Sequence, residues 1–398
     1  MDTDNPNTID LELLPKVIYS TTPAESKTFI SDLKVNLEKF VLESDSVFVI
    51  GHNVADLDSI GSAATFAYVS EWLRKKEKEK DSTFDKNPES VYVVVNDWQS
   101  KLQSSVKKLM HDKCSSIRFI NKYDCLRLLG DNDFLLVTDV NQSSRIALSD
   151  DLHRFRHVMV VDHHDVNAGT MHADKFFIDK TKSSASEIAY RVLASFGISC
   201  PKDIATAVLA GINQDTDNYE QKRTPALLSL IAKLMNIDKN ADAYVTQILR
   251  SNFYTDMEIY DIILKCMHSG KLFLYEMTRT DSLPEVDSDE SIQVNSTVAF
   301  LLNDKKSDKI TLSKIANALR KYADVSFAIG QIDEDDKVSI HVRSNGNIDG
   351  GKIMEPFGGG GAIEMASAQV DQETPLEDVK SKVLSLLPPT RLVERTVK

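Results

Sequence analysis

The chain has 398 residues, enough for two domains that each bury a core of their own. Its 60 acidic and 47 basic side chains leave a formal net charge of −13. That balance argues against a partner such as long nucleic acid, whose binding relies on basic surfaces that release counterions. No apolar run approaches the roughly eighteen residues of a membrane span, so no membrane partner is expected.

The N-terminus, MDTDNPNTIDLELLPK, lacks the basic-then-apolar order of a secretory signal, and residues 1–22 read as a flexible tail. Cys114, Cys125, Cys200 and Cys266 are scattered and form no CxxC pair. Reduced thiols in a cytoplasmic protein are therefore expected, and structural thiolate zinc is not. A helix is predicted from Ala24 to Leu42. Short apolar runs follow at 47–50, 91–95, 117–120, 134–137 and 158–161, with helical segments between them, notably Ser59 to Lys75. This alternation predicts an α/β fold with an open parallel sheet. The mixed-charge run Arg74 to Lys80 reads as a solvated helix end. A second helical region runs from Ser186 to about Tyr260, and the acidic, proline-containing DSLPEVDSDE at 281–290 reads as a linker. Beyond it, a helix at 312–322, strands at 325–329 and 338–342, a Gly-rich stretch and a helix at 375–387 predict a smaller C-terminal α/β domain. The organisation expected is a tail at 1–22, a catalytic domain at 23–245, a connecting helix and linker at 246–290, and a second domain at 291–390.

Three of the apolar strands run into acids. The first leads to His52, Asp56 and Asp58, the second to Asp139, and the third to Asp162, His163 and His164. In an open α/β sheet, ligands bind in the crevice beyond the carboxyl ends of the strands. A fourth segment, at the end of an apolar helical run, brings Asp215 and Asp217. Any one of these acids alone would read as a helix N-cap, and a lone His beside a core strand as a structural residue. So many carboxylates in one place without cations would be strongly unfavourable, however, so together they read as a metal site. Asp56, Asp58, Asp139 and Asp215 carry four negative charges, which two divalent ions would neutralise. Oxygen-rich ligation with few imidazoles favours manganese (Mn2+), with magnesium (Mg2+) as second choice. Two such ions can clamp a phosphoryl group and activate water for in-line attack. Asp162 and Asp217 read as groups that orient the ligands.

These four motifs, in this order, resemble the DHH phosphoesterase superfamily, whose name-giving triplet is matched by Asp162-His163-His164. The stretch from Ile340 to Ser344 and on through IMEPFGGGG at 353–361 resembles the DHH-associated substrate-binding domain. With ASAQ at 366–369, SSASEIA at 183–189 and LAGINQDTDNY at 209–219, the chain looks most similar to the catalytic module of bacterial cyclic-di-AMP phosphodiesterases. The resemblance covers residues 44 to 388. It implies His52, Asp56 and Asp139 on one metal and Asp58, Asp139, His163 and Asp215 on the other, with Asp139 bridging and His164 facing the substrate phosphate. Asp162, His163 and His164 are thereby cast as catalytic. Arg343 and Ser344 match the family's substrate-contacting pair, and Gly358, Gly359, Gly360 and Gly361 would let backbone amides approach a phosphate. Ser183, Ser184 and Ser186 match a segment flanking the site, or serve as N-caps before Glu187.

The activity implied is metal-dependent hydrolysis of cyclic-di-AMP, its linear product pApA or very short RNA. The two-domain organisation would limit substrate length, and a homodimer is allowed for. Alternatives are a phosphatase for 3′-phosphoadenosine 5′-phosphate or polyphosphate, and a nucleotide sensor without turnover. The chain departs from the family twice. Ala362 stands where a His usually follows the four glycines, which puts a phosphate contact in question. The membrane, sensor and degenerate cyclase segments of the membrane-bound bacterial enzymes have no counterpart here, so a free-standing soluble version is expected.

Overall fold

A computed structural model describes residues 17–20, 23–95, 102–166, 170–250, 253–282, 291–332, 337–346, 348–361, 363–387 and 391–395. The chain divides into two compact units, residues 1–252 and 253–398. In chain order the first contains β1 (Val17–Ser20), α1 (Pro23–Glu43), β2 (Val47–Ile50), α2 (Leu57–Lys80), β3 (Val91–Val94), α3 (Ser104–Lys113), β4 (Phe119–Ile120) and α4 (Lys122–Leu128). It continues with β5 (Phe134–Thr138), β6 (His157–Asp162), β7 (Lys175–Asp179), α5 (Ala185–Ser195), α6 (Lys202–Asp215), α7 (Pro225–Ile237) and α8 (Ala241–Arg250).

The strands form one parallel sheet in the order β1-β7-β6-β5-β2-β3-β4. A parallel sheet is covered on both faces, so its strands read as unbroken apolar runs, and alternate residues go to opposite sides. Val47, Val49, Phe134, Leu136, Met159 and Val161 join the core beneath α1, α2, α5 and α6. Phe48, Ile50, Leu135, Val137, Val160 and Phe176 join the core on the other face.

The second unit holds α9 (Phe253–His268), β8 (Leu272–Ser282), β9 (Ser291–Ser307), α10 (Lys309–Arg320), β10 (Val325–Ile332), β11 (Lys337–Ser344), α11 (Gly350–Met354), β12 (Gly360–Gly361), β13 (Met365–Asp371), α12 (Leu376–Leu386) and β14 (Arg391–Arg395). Its mixed sheet has the order β12-β13-β11-β10-β9-β8-β14. Phe300 and Phe327 stack at 4.6 Å in its core. No helix among the described residues is long and apolar enough to cross a membrane.

Three expectations are corrected. Val17–Ser20, placed in a flexible tail, pairs in parallel with β7 from Val17↔Phe176 to Ser20↔Asp179; the rest of residues 1–22 lies outside the described residues. The stretch 246–290 is not a connector throughout. β8 pairs with β9 along its length, from Leu272↔Leu301 to Ser282↔Ser291, and so belongs to the second sheet, while 283–290 lies outside the described residues. Arg74 is not part of a solvated helix end, although Lys75 to Lys80 are largely exposed. Its guanidinium is fully buried and donates to the carbonyls of Val41, Ser44, Asp45, Asn87 and Ser90, tying the end of α1 to the loops that lead into β2 and β3. Five carbonyl acceptors replace the water that a buried guanidinium loses.

Candidate metal centre

The strands β6, β5 and β2 are neighbours, and their carboxyl ends carry the acids and imidazoles noted above. From β2 the chain passes His52 and turns into α2, whose N-cap, Asp56, accepts the Ser59 N–H at 2.9 Å. Asp58 follows in the first helical turn, fully buried. It accepts the N–H groups of Ala185 and Ser186 at 2.8 Å each, so the N-terminus of α5 holds this carboxylate. Ser184 is the N-cap of α5, and Ser183 is bound to Glu187.

Asp215 arrives on the last turn of α6, which packs against α2. Gly211 makes that approach possible, because a Cβ there would lie 2.7 Å from Asp58 Oδ1 and 2.2 Å from Ser186 Oγ.

Asp139, after β5, has left-handed backbone with φ 62° and donates its N–H to Val161 O at 3.1 Å. Few non-glycine residues adopt that conformation, though Asp tolerates it better than most. The turn sends its two oxygens in different directions. Oδ2 lies 3.5 Å from His52 Nε2, and Oδ1 lies 3.5 Å from His163 Nε2. His52 Nε2 is also 3.4 Å from Asp56 Oδ2. His163 Nε2 is 3.1 Å from Asp215 Oδ2 and 3.8 Å from Asp58 Oδ2. The donor atoms therefore gather into a group of His52, Asp56 and Asp139 and a group of Asp58, Asp139, His163 and Asp215, with Asp139 common to both; a further group comprises Asp139, Asp162, His163 and His164.

Electrostatics makes this arrangement costly in the absence of cations. Burial, then Asp215, raises Asp58 to about 6. Burial, then Asp56, raises Asp215 to about 7. Burial, then Asp58, lifts Asp139 well above the usual carboxylate range. For Asp56, burial is outweighed by the charge and hydrogen bond of His52, which hold it at about 2. Burial and the neighbouring His164 push His163 down to about 3, so its ring is a neutral base. Both of its ring nitrogens are buried without a hydrogen-bond partner. A buried donor or acceptor left in that state requires an explanation, and a divalent ion is one that fits a site of carboxylates and imidazole.

Asp162 has a different job. Its Oδ1 accepts the N–H of His163 at 2.7 Å and that of His164 at 3.2 Å, and it lies 2.8 Å from His164 Nδ1. Its Oδ2 accepts from Asn141 Nδ2 at 2.9 Å. Burial works against ionisation here, but His164 and the hydrogen bonds hold Asp162 at about 2. In return Asp162 overcomes burial at His164 and raises it to about 9, leaving a partly exposed imidazolium at the edge of the cluster.

Sequence reasoning missed Asn141 and Gln214. Gln214 accepts the Leu57 N–H at 3.0 Å and also bonds to Asp56. The available signal was position, since each lies within two residues of a clustered acid. Asp217 follows α6 in left-handed backbone, φ 47°, and is in none of the donor groups among the described residues.

The expected substrate-binding residues lie in the second unit. Arg343, on β11, is 5% exposed. Its Nε donates to Asn317 Oδ1 at 2.6 Å, Nη1 to Val342 O at 2.8 Å and Nη2 to Ser313 Oγ, which leaves one N–H on each terminal nitrogen. Ser344 Oγ donates to Ile348 O at 2.7 Å and accepts the Gly346 N–H. The glycine run corrects the expectation in part. The N–H groups of Gly358 and Gly359 already donate to Glu355 O and Met354 O, so those two amides are spent within the turn. A Cβ on Gly359 would lie 2.3 Å from Ser367 O, whereas Gly360 has nothing within 4 Å. Ala362 lies outside the described residues.

The profile of the DHH family, N-terminal domain, matches residues 46–212, and that of the DHHA1 domain matches residues 293–387. The chain is 24% identical over 365 residues to the cyclic-di-AMP phosphodiesterase GdpP of Bacillus subtilis, a match covering 88% of this chain and 49% of that protein. It is 24% identical over 381 residues to the cyclic-di-AMP phosphodiesterase PdeA of Listeria monocytogenes, covering 92% of this chain and 51% of that one. The chain thus spans about half the length of these curated relatives. An exopolyphosphatase-related protein from Bacteroides fragilis superposes with a TM-score of 0.62 at 18% identity, over 90% of this chain and 96% of that one, a likeness of fold alone.

Proposed function

The chain belongs to the DHH family and carries a DHHA1 domain behind the DHH domain, and we propose that it is a cytoplasmic, metal-dependent phosphodiesterase acting on cyclic-di-AMP, pApA or very short RNA. The observation that carries this reading is Asp139, whose two oxygens face two imidazoles in two donor groups. His52, Asp56 and Asp139 would hold one divalent ion, and Asp58, Asp139, His163 and Asp215 the other, with manganese preferred for this donor set. When bound, such a pair supplies Lewis acidity and an activated water to a phosphoryl centre.

The remaining work falls to the chain. The amides of Ala185 and Ser186 hold Asp58 in place, and Asn141 fixes Asp162. Asp162 keeps His164 protonated, so that its imidazolium offers a charged donor to a phosphate oxygen as negative charge develops. Arg343, through its two spare N–H groups, and the open approach at Gly360 would bind the nucleotide. The net charge of −13 supports a short substrate, because a long backbone needs a basic track.

Product analysis tests the reading with cyclic-di-AMP, pApA, RNA of graded length, 3′-phosphoadenosine 5′-phosphate and polyphosphate, each with manganese and with chelator. Manganese-dependent cleavage of the dinucleotides is expected, falling steeply beyond about five nucleotides, with about two ions per chain by elemental analysis. Processive digestion of long RNA at the dinucleotide rate would overturn the length limit. Turnover of polyphosphate without cleavage of any dinucleotide would overturn the substrate.

A further inference from the structure

Away from the carboxylate cluster, α1, α5 and α7 of the first unit surround a pocket of about 470 Å³. Its lining includes Lys27 from α1, Tyr190 and Arg191 from α5, and Ser229, Leu230 and Lys233 from α7. Among the described residues no carboxylate lines it, in a chain whose net charge is −13. Lys27 and Lys233 are exposed and solvated, and together they give the pocket a local positive field that attracts anions.

The state of each donor points to a ligand. Tyr190 is only 4% exposed, and its hydroxyl makes no hydrogen bond within the described residues, although it lines the pocket. The hydroxyl is not among the buried unpartnered atoms, so it opens onto the pocket and can donate to a bound acceptor. Lys233 Nζ sits 5.7 Å from the Tyr190 ring centroid and has no carboxylate of its own, and Lys27 likewise has none. Arg191 commits Nε and Nη2 to Glu187 Oε1, at 2.8 and 2.6 Å, which leaves Nη1 unpartnered. Beside these donors, Ile30, Ala194, Ala226 and Leu230 supply apolar wall.

We propose that this pocket between α1, α5 and α7 is a binding site for a small organic phosphate, an anion with an apolar body. With Arg191 balanced by Glu187, two lysine charges remain, and a phosphate monoester brings close to two charges and three acceptor oxygens where a carboxylate brings one charge. Tyr190 and Ser229 add neutral donors for those oxygens, and the apolar wall takes the organic part.

Calorimetric titration of the full chain with phenyl phosphate in the presence of chelator tests this, because the carboxylate cluster then holds no metal. Saturable one-site binding is expected, tighter than that of inorganic phosphate and unchanged in Asp139→Asn. The double variant Lys27→Glu, Lys233→Glu should bind roughly ten-fold or more weakly, and Tyr190→Phe several-fold more weakly. Lys27 and Lys233 are exposed, so their replacement leaves the core intact, and unfolding curves recorded in parallel verify that. Absence of saturable binding, equal affinity for inorganic phosphate, full affinity in the folded double variant, or loss of binding in Asp139→Asn would each overturn the proposal.

Discussion

The two units use buried polar groups in opposite ways. Around Asp139 in the first, carboxylates crowd together, three of them raised above their ordinary range, and His163 has both ring nitrogens unpartnered. Around Arg343 in the second, the cation is also buried, but Asn317, Ser313 and a backbone carbonyl receive its N–H groups, and Ser344 is bound on both sides. The first site is incomplete as a piece of protein and needs cations to become favourable. The second is held by three hydrogen bonds of its own, with two N–H groups of Arg343 left over, and is part of what holds its sheet and helix together. Removing a side chain from the first should therefore cost function with little stability, and removing one from the second should cost both.

The sharpest test of that contrast is Asp139→Asn, since Asn keeps the shape and tolerates the left-handed backbone. Activity should fall by more than the roughly 100-fold loss typical of a group that merely orients a ligand. Manganese content should fall with it, while the metal-free variant should melt no lower than wild type, because one buried charge has left a repulsive cluster. A marked loss of stability without metal would break the comparison.

Arg343→Ala should behave in the other way. Thermal or denaturant unfolding should show a loss of about 1–3 kcal/mol, since Asn317, Ser313 and the Val342 carbonyl lose their donor. Activity on pApA should fall roughly 10- to 100-fold, with metal content unchanged.

The pH dependence of the metal-free protein sharpens the contrast further. Asp215, raised to about 7, and His164, raised to about 9, keep protons in the folded state that the unfolded chain has released. Stability present below their unfolded values is lost as pH climbs through the folded ones. Below about pH 6.5, His163, held at about 3, works in the opposite direction, so the unopposed window runs from about pH 6.5 to 9. Melting curves with chelator should shift down across that window, and the stabilisation by manganese should grow; a flat chelator profile would contradict the electrostatic account.

The smallest effect expected is Gly360→Ala. With open space at that position it should change stability by no more than about 0.5 kcal/mol, whereas Gly359→Ala, which meets Ser367 O, should cost about 1–3 kcal/mol. Lost activity in a fully stable Gly360→Ala variant would mark close approach of substrate.

Much of this was legible in the sequence for a local reason. Buried parallel strands must be apolar over their whole length, so β2, β3, β5 and β6 stood out, and the acids beyond their carboxyl ends stood out with them. The missed strands show where that signal fails. β1 is four residues long within an acidic, polar stretch, and β8 and β9 flank the acidic segment that read as a linker. Arg74 misled for a similar reason. A basic residue among Lys and Glu looks solvated until the chain brings five carbonyls around it.

By itself, then, the sequence determined the residue types: which segments are apolar enough to lie inside, and which acids and imidazoles stand at their ends. The tertiary structure decided which of these meet and at what energetic cost. The adjacency of β6, β5 and β2, the close approach of α2 to α6 at Gly211, and the left-handed turn at Asp139 bring Asp58, Asp139, His163 and Asp215 within reach of one another. Such proximity is set by packing between segments far apart in the chain, 157 residues in the case of Leu57 and Gln214, and the spacing of residues along the chain carries no record of it. The same packing turned ordinary aspartates into raised ones and left His163 without a partner, since both effects depend on burial and on distance rather than on residue type.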